Sequence, residues 1–400
     1  MTLHKRVNDL TSQEVWEVVP EWVNLAFDEK SPIRELYGFS GNQGKINLEG
    51  VIYRPAGKPS KSLIMFMHPA SSCSHLLIPR ALARAGFHVL CAGNRYARND
   101  TACIMEKAIV DYGVYVKYAR ETLGYERLIL SGWSGGGSLT TMYQSQAEHP
   151  TIVETPAGDS ISLGKLLPGD AVIFHAAHLS RAEVLRDFID PSVIDETNPD
   201  KRKAELDLYD PKNPNKAPYG RDYLEYYRNA QLARIRRRTA YAKELLEAFR
   251  LSRGKEMERG LLTHRTLADP RFLDGNVDPN DRTVGKCFLG DPEEANFSPA
   301  GIARFSVCRA WLSQWSIDDS RAHALTAAKN ITVPSLVIEN SADDAVPQPH
   351  PRRFFDHLRS KDKTFAVLDK ANHYYLDQPD KLEEAIALIS NWLQQRQLVQ

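Results

Sequence analysis

The residues best placed to do chemistry are Gly132, Trp133, Ser134, Gly135 and Gly136, which close the apolar run ERLILSG and open a Gly-rich stretch able to continue as a helix. A serine at a strand-to-helix junction is a candidate nucleophile, because a tight turn there lifts its hydroxyl clear of the sheet edge. Residues two before and two after must be small where strand and helix backbones crowd together, and Gly132 and Gly136 meet that demand. The start of the helix would point unpaired N–H groups at the reacting carbon, with the Gly135 amide available to an oxyanion. The implied chemistry is attack on an acyl carbon. Five letters recur by chance, so the elements around them must carry the weight.

Those elements alternate. Short apolar runs at 63–68, 87–93, 126–132, 170–177, 333–340 and 363–369 read as strands buried on both faces, and helix-like sequence separates several of them, at 75–85 and 104–122. A final amphipathic helix is expected over 379–396. Strands alternating with helices imply an α/β fold, a mainly parallel sheet covered by helices on both faces. Ahead of it, 33–39 and 46–53 alternate as a hairpin turned at Gly41 and Gly44, and the first 30 or so residues read as a helical extension.

Between 178 and 317 the rhythm breaks. Pro/Asn/Asp-rich loops surround a charged helix expected over 220–253, and the segment reads as a largely helical cap inserted into a core of residues 1–177 and 318–400. The run 234–238, Arg-Ile-Arg-Arg-Arg, reads as a solvated helix face, since Glu225, Glu244 and Glu247 share the helix. Phe305, Trp311 and Trp315 at the insertion's end either line an apolar pocket or pack cap against core.

Composition narrows partners. The 51 basic and 51 acidic residues cancel, which gives no global attraction to nucleic acid or anionic membrane. No apolar run follows Lys5 and Arg6, and none reaches transmembrane length, so a cytoplasmic location is expected. Five scattered cysteines, Cys73, Cys91, Cys103, Cys287 and Cys308, lack the paired spacings of a disulfide framework or zinc site and read as reduced, packed thiols.

With these features in place, the sequence resembles the α/β-hydrolase superfamily over most of its length, apart from the insertion and the N-terminal segment. The resemblance implies a triad in the order nucleophile, acid, histidine, each on a loop after a strand. SLVIENSADDAVP then supplies Asp343, which precedes Val346-Pro347 at the family spacing, with Asp344 as the alternative acid. FAVLDKANHYY supplies His373. The segment MFMHPASS resembles the family's His-Gly segment, whose backbone gives the second oxyanion donor. Here Pro69 lacks an N–H, so Ala70 or Ser71 takes that part, and His68 braces the turn. GNRYARND resembles a diverged Asp-x-Arg-Gly segment, in which Arg95 braces its loop or contacts substrate. Ser71, Trp133, Arg95, Tyr96 and Tyr374 are the candidates for substrate contact.

The activity implied is a serine hydrolase that cleaves a carboxylic ester of a small, partly apolar molecule through an acyl-enzyme. C–C, amide or lactone hydrolysis, acyl transfer, and a ligand receptor on the same scaffold are the alternatives. This chemistry requires no metal or organic cofactor. A small-molecule substrate is the expected partner, nucleic acid and membrane are not, and a homodimer stays open.

Overall fold

The computed structural model describes residues 15–29, 45–252, 254–346 and 348–399. Its strands are β1 (Val18–Asp28), β2 (Lys45–Pro55), β3 (Ser62–Met67), β4 (Val89–Ala92), β5 (Arg127–Trp133), β6 (Ala171–His175), β7 (Gly260–Leu262), β8 (Phe305–Val307), β9 (Ser335–Asn340) and β10 (Lys363–Leu368). Eight of them form one sheet in the order β1-β2-β4-β3-β5-β6-β9-β10. Strand β2 runs antiparallel to both of its neighbours, and every other pairing is parallel. The expected parallel sheet is therefore present.

Local composition explains the central strands. Every residue of β3, β4 and β6 is buried, as expected of strands with helices over both faces. One face carries Met65, Leu90, Leu130 and Phe174 against Tyr112, Val116, Leu139 and Met142 of the helices Met105–Glu121 and Gly136–Glu148. The opposite face carries Phe66, Cys91, Ile129 and Ile338 against Leu82, Ile386 and Leu393 of the helices Leu77–Arg84 and Pro379–Gln395.

The N-terminal expectation needs correction. Residues 18–28 are not helical but form the edge strand β1, paired with β2 from Val18 opposite Pro55 to Asp28 opposite Lys45. The determining signal is period two: Val23, Leu25 and Phe27 turn inward while Trp22, Asn24 and Ala26 face solvent. Pro20 is tolerated there because an edge strand need not donate on both sides. The strand expected at 33–39, with its turn at Gly41 and Gly44, lies outside the described residues.

After β6 the chain leaves the sheet and returns at β9. In between lie the helices Arg181–Phe188 and Arg221–Ser252, the two-stranded sheet β7-β8, and a π-helical turn Trp311–Trp315. These elements have an apolar cluster of their own, in which Leu185, Ile235, Leu246 and Leu261 meet Trp311 and Trp315. No helix among the described residues is long and apolar enough to cross a membrane. All five cysteines are free and buried, and burial pushes the Cys73 thiol up to about 12.

The Arg-rich run is also not a solvated face throughout. Arg236 and Arg237 face water, but Arg234 and Arg238, four apart, point inward. Arg234 pairs with Glu196 at 2.7 Å and donates to the carbonyls of Asp190 and His264, while Arg238 donates to the Leu262 carbonyl. Carbonyl ends of the insertion's loops thus take the place of water around two buried guanidinium groups.

Candidate active site

Strand β5 ends at Trp133 and the helix Gly136–Glu148 begins three residues later, so the chain reverses at Ser134. Ser134 holds φ at 53°, a left-handed conformation that costs a non-glycine residue energy and is kept only where neighbours enforce it. They do: its N–H lies 3.1 Å from the Ala176 carbonyl, and its own carbonyl accepts from Gly137 at 3.0 Å. Crowding fixes the small residues. A Cβ at Gly132 would stand 2.6 Å from the Gly136 carbonyl oxygen, and one at Gly136 would stand 2.5 Å from that of Met67.

Asp343 and His373 come from the loops after β9 and β10, adjacent parallel strands, which is why residues 30 apart meet. His373 Nδ1 lies 2.8 Å from Asp343 Oδ2, and both residues are almost wholly buried. The other carboxylate oxygen accepts from the amides of Ala345 at 2.8 Å and Val346 at 2.7 Å, which fixes the plane of the group. A carboxylate only accepts, so Nδ1 carries the proton and Nε2 is left as a base. The His373 ring packs on Trp133, with centroids 4.5 Å apart. Asp344 does not take this place. Burial and the Asp343 charge raise its carboxyl to about 6.

At the turn after β3, the expected donor is differently engaged. The Ala70 N–H donates to His68 Nδ1 at 3.0 Å, and the Ser71 N–H faces the His68 carbonyl at 3.5 Å. Ala70 lines the cavity, as its position suggests, but its amide is engaged within its own turn. His68 does brace the turn, as its sequence context suggests, and the bond sets its tautomer: Nδ1 accepts, so neutral His68 carries its proton on Nε2. Burial, then the charge of Arg181, hold His68 well below the usual histidine range and so neutral. Its Nε2 lies against Gly135, where a Cβ would approach within 2.7 Å. Asn94 fixes the loop by donating to the carbonyls of His68 at 2.9 Å and Pro69 at 3.1 Å.

A cavity of about 460 Å³ joins these groups. Ser134, Gly135, His373, His68, Ala70, Ser71, Trp133 and Tyr374 line it from the sheet side, and the insertion contributes Phe188, Ile302, Arg304, Phe305 and Trp315. Trp311 is elsewhere, buried in the insertion's own cluster with its indole N–H on Thr239 at 3.0 Å. Arg95 and Tyr96 also do not reach the cavity. The Arg95 guanidinium is fully buried between Asp111, at 2.7 Å, and Glu29, at 2.7 Å, because a buried cation needs such partners more than a substrate. Tyr96 is buried in the core, its amide held by Asn94.

Sequence reasoning missed His178, Arg181 and Arg304, which also line the cavity. His178 stands three residues beyond β6, at the carboxyl end of a sheet strand where ligands gather, and that position was a usable signal. Arg304 carried none, since nothing in the insertion's sequence around the short strand β8 marks it.

No family model and no curated protein sequence matches the chain. Among solved structures, a monoacylglycerol lipase of Paleococcus ferrophilus superposes with a TM-score of 0.44 at 19% identity, covering 86% of this chain and 98% of that one. The esterase domain of a Rhodothermus marinus protein gives 0.45 at 14% identity, covering 94% and 98%. Est1E from Butyrivibrio proteoclasticus gives 0.45 at 13%, covering 88% and 96%. In its own strand order, with β2 alone reversed, and in the strand–turn–helix that raises Ser134 at the sheet edge, this chain has an α/β-hydrolase fold.

Proposed function

We propose that the protein is a serine hydrolase that cleaves a carboxylic ester of a small molecule through an acyl-enzyme on Ser134. The observation carrying this reading is the His373–Asp343 pair, with His373 lining the same cavity as a serine held in a left-handed turn. In the reaction, Ser134 Oγ bonds to the acyl carbon as its proton passes to His373 Nε2. The carbonyl oxygen takes the negative charge. The C–O bond to the leaving group then breaks, and His373 returns the proton to the departing alkoxide. Water repeats the sequence to free the acid. Asp343 keeps the imidazole in the working tautomer and offsets its transient charge.

Two donors support the oxyanion in this reading. The Gly135 amide at the helix start has no acceptor among the described residues, and His68 Nε2–H lies beside it. The side-chain donor replaces the backbone amide that Pro69 and the Ala70–His68 bond remove. The insertion would act as a cap over the site, and a cavity of about 460 Å³ suits a small substrate rather than a polymer. The test is ester turnover by two variants. Ser134→Ala should abolish it without lowering the melting temperature, and His68→Ala should lower kcat about 10²- to 10³-fold. Retained turnover in Ser134→Ala contradicts the reading.

A further inference from the structure

The cavity wall supplied by the insertion is cationic, and one of its cations lacks an acid. Several arginines of that region with little exposure pair with carboxylates, Arg234 with Glu196, Arg265 with Asp190 and Asp207, Arg271 with Asp187, Arg309 with Asp159, while Arg238 and Arg282, away from the cavity, are held by carbonyls instead. Arg304 is 6% exposed and pairs with none among the described residues. Its Nη2 donates to the carbonyls of Asn296 at 3.1 Å and Ser298 at 2.6 Å, its Nη1 lies 3.5 Å from His264 Nδ1, and its Nε has no partner. The preceding residue, Ala303, holds φ at 54°, a strained conformation in the loop that presents Arg304 to the cavity.

Arg181, on the same cavity, repeats the pattern in part. It bonds Asp100 through Nη2 and lies over the Trp315 ring, 4.3 Å from its centroid, yet its Nε is unpartnered. The Trp315 indole N–H is buried and unpartnered too. Three arginines, Arg98, Arg181 and Arg304, thus face one acid, Asp100, around the cavity. Among the described residues the lining thus holds two more cationic side chains than acidic ones, an excess that an anionic group on a ligand would offset.

We propose that the ester substrate carries a second, anionic oxygen group, a carboxylate or a phosphate, which seats on Arg304 and Arg181 while its acyl carbon meets Ser134. This rests on the hydrolase reading above and adds the substrate's charge. The oxyanion supplies the missing counter-charge for Arg304, as planar guanidinium donors favour. A neutral ester would leave the wall unpaired, and selectivity follows from that loss.

The experiment compares kcat/KM for phenyl acetate with three charged relatives: phenyl hemiglutarate, 4-acetoxybenzoate and 4-acetoxyphenyl phosphate. At least one charged ester should exceed the neutral one by about tenfold or more, with the margin shrinking in salt. The preferred compound tells carboxylate from phosphate and the acyl side from the alcohol side. In Arg304→Leu the charged-to-neutral ratio should fall toward one, and Arg304→Lys should restore part of it. Should Arg304→Leu fail to fold, the wild-type ratio and the lysine variant decide. Faster turnover of phenyl acetate than of every charged ester overturns the proposal. Binding of glutarate and of inorganic phosphate to the wild-type protein, followed by calorimetry, separates the two readings. An anion bound by an enzyme that hydrolyses no ester upholds the site and sinks the hydrolase, and turnover without anion preference or anion binding does the reverse.

Discussion

The sheet and the insertion are built on opposite plans. In the sheet, short runs such as Leu63–Met67 and Leu128–Leu130 are buried by their apolar side chains, and partners are set by strand order. In the insertion, buried arginines tie together segments distant in sequence. Arg271 reaches Asp187 across 84 positions, and Arg309 reaches Asp159 across 150. The sheet can place a nucleophile because hydrogen-bonded strands leave little freedom at their ends. The insertion can carry selectivity because its buried guanidinium groups favour anionic partners, and Arg304 at the cavity has none among the described residues.

The largest effect expected on this division falls at the sheet edge. Asp343→Asn should cost on the order of 10⁴ in kcat, because the imidazole would lose its working tautomer, while Asp344→Asn should cost far less. Unfolding should be nearly unchanged in both, and an equal loss from Asp344→Asn would break the assignment. A smaller effect, of the other kind, belongs to the insertion. Arg271→Met removes one cation from Asp187 and Asp269, which keep Arg186 and Arg228, and should destabilise by about 1.5–3 kcal/mol. Denaturant melts should show it, with early proteolysis inside 178–317. A loss below about 1 kcal/mol would mean that the arginine network does not hold the insertion together.

The seam between the regions gives a pH-dependent prediction. Glu106, on the helix Met105–Glu121, accepts from Ser313 of the insertion at 2.7 Å, and burial raises its carboxyl to about 7. Its folded value stands above the unfolded value of about 4.3, so the folded state holds the proton more tightly. The associated stability is fully present below pH about 4 and is lost as pH rises through 7. Glu106→Gln should therefore flatten the pH dependence, with a gain at pH 8 on the order of 2–3 kcal/mol over wild type and little at pH 4. An unaltered slope in urea melts at the two pH values would remove Glu106 from the seam.

What the sequence made legible follows the same line. The strands and the order Ser134, Asp343, His373 were readable because apolar runs and turn glycines are local signals. The edge strand β1 was missed although Val23, Leu25 and Phe27 alternate, since its partner at 46–53 was assigned to a hairpin with 33–39 instead. The Ala70 amide was assigned by position, but His68 Nδ1 competes for it two residues away, a contact that depends on a rotamer. Arg234, Arg238 and Arg304 were opaque for a deeper reason: whether an arginine is solvated, paired or unpaired depends on chain far away in sequence. The split between Trp311 and Trp315 is of that kind too.

The central claim, that Ser134 forms an acyl-enzyme with His373 as base, is tested most directly by reaction of the folded protein with a fluorophosphonate, followed by mass mapping. The account predicts one adduct, on the peptide containing Ser134, absent from Ser134→Ala and formed much more slowly in Asp343→Asn. A folded wild-type protein that stays unmodified, or is modified elsewhere, would contradict it.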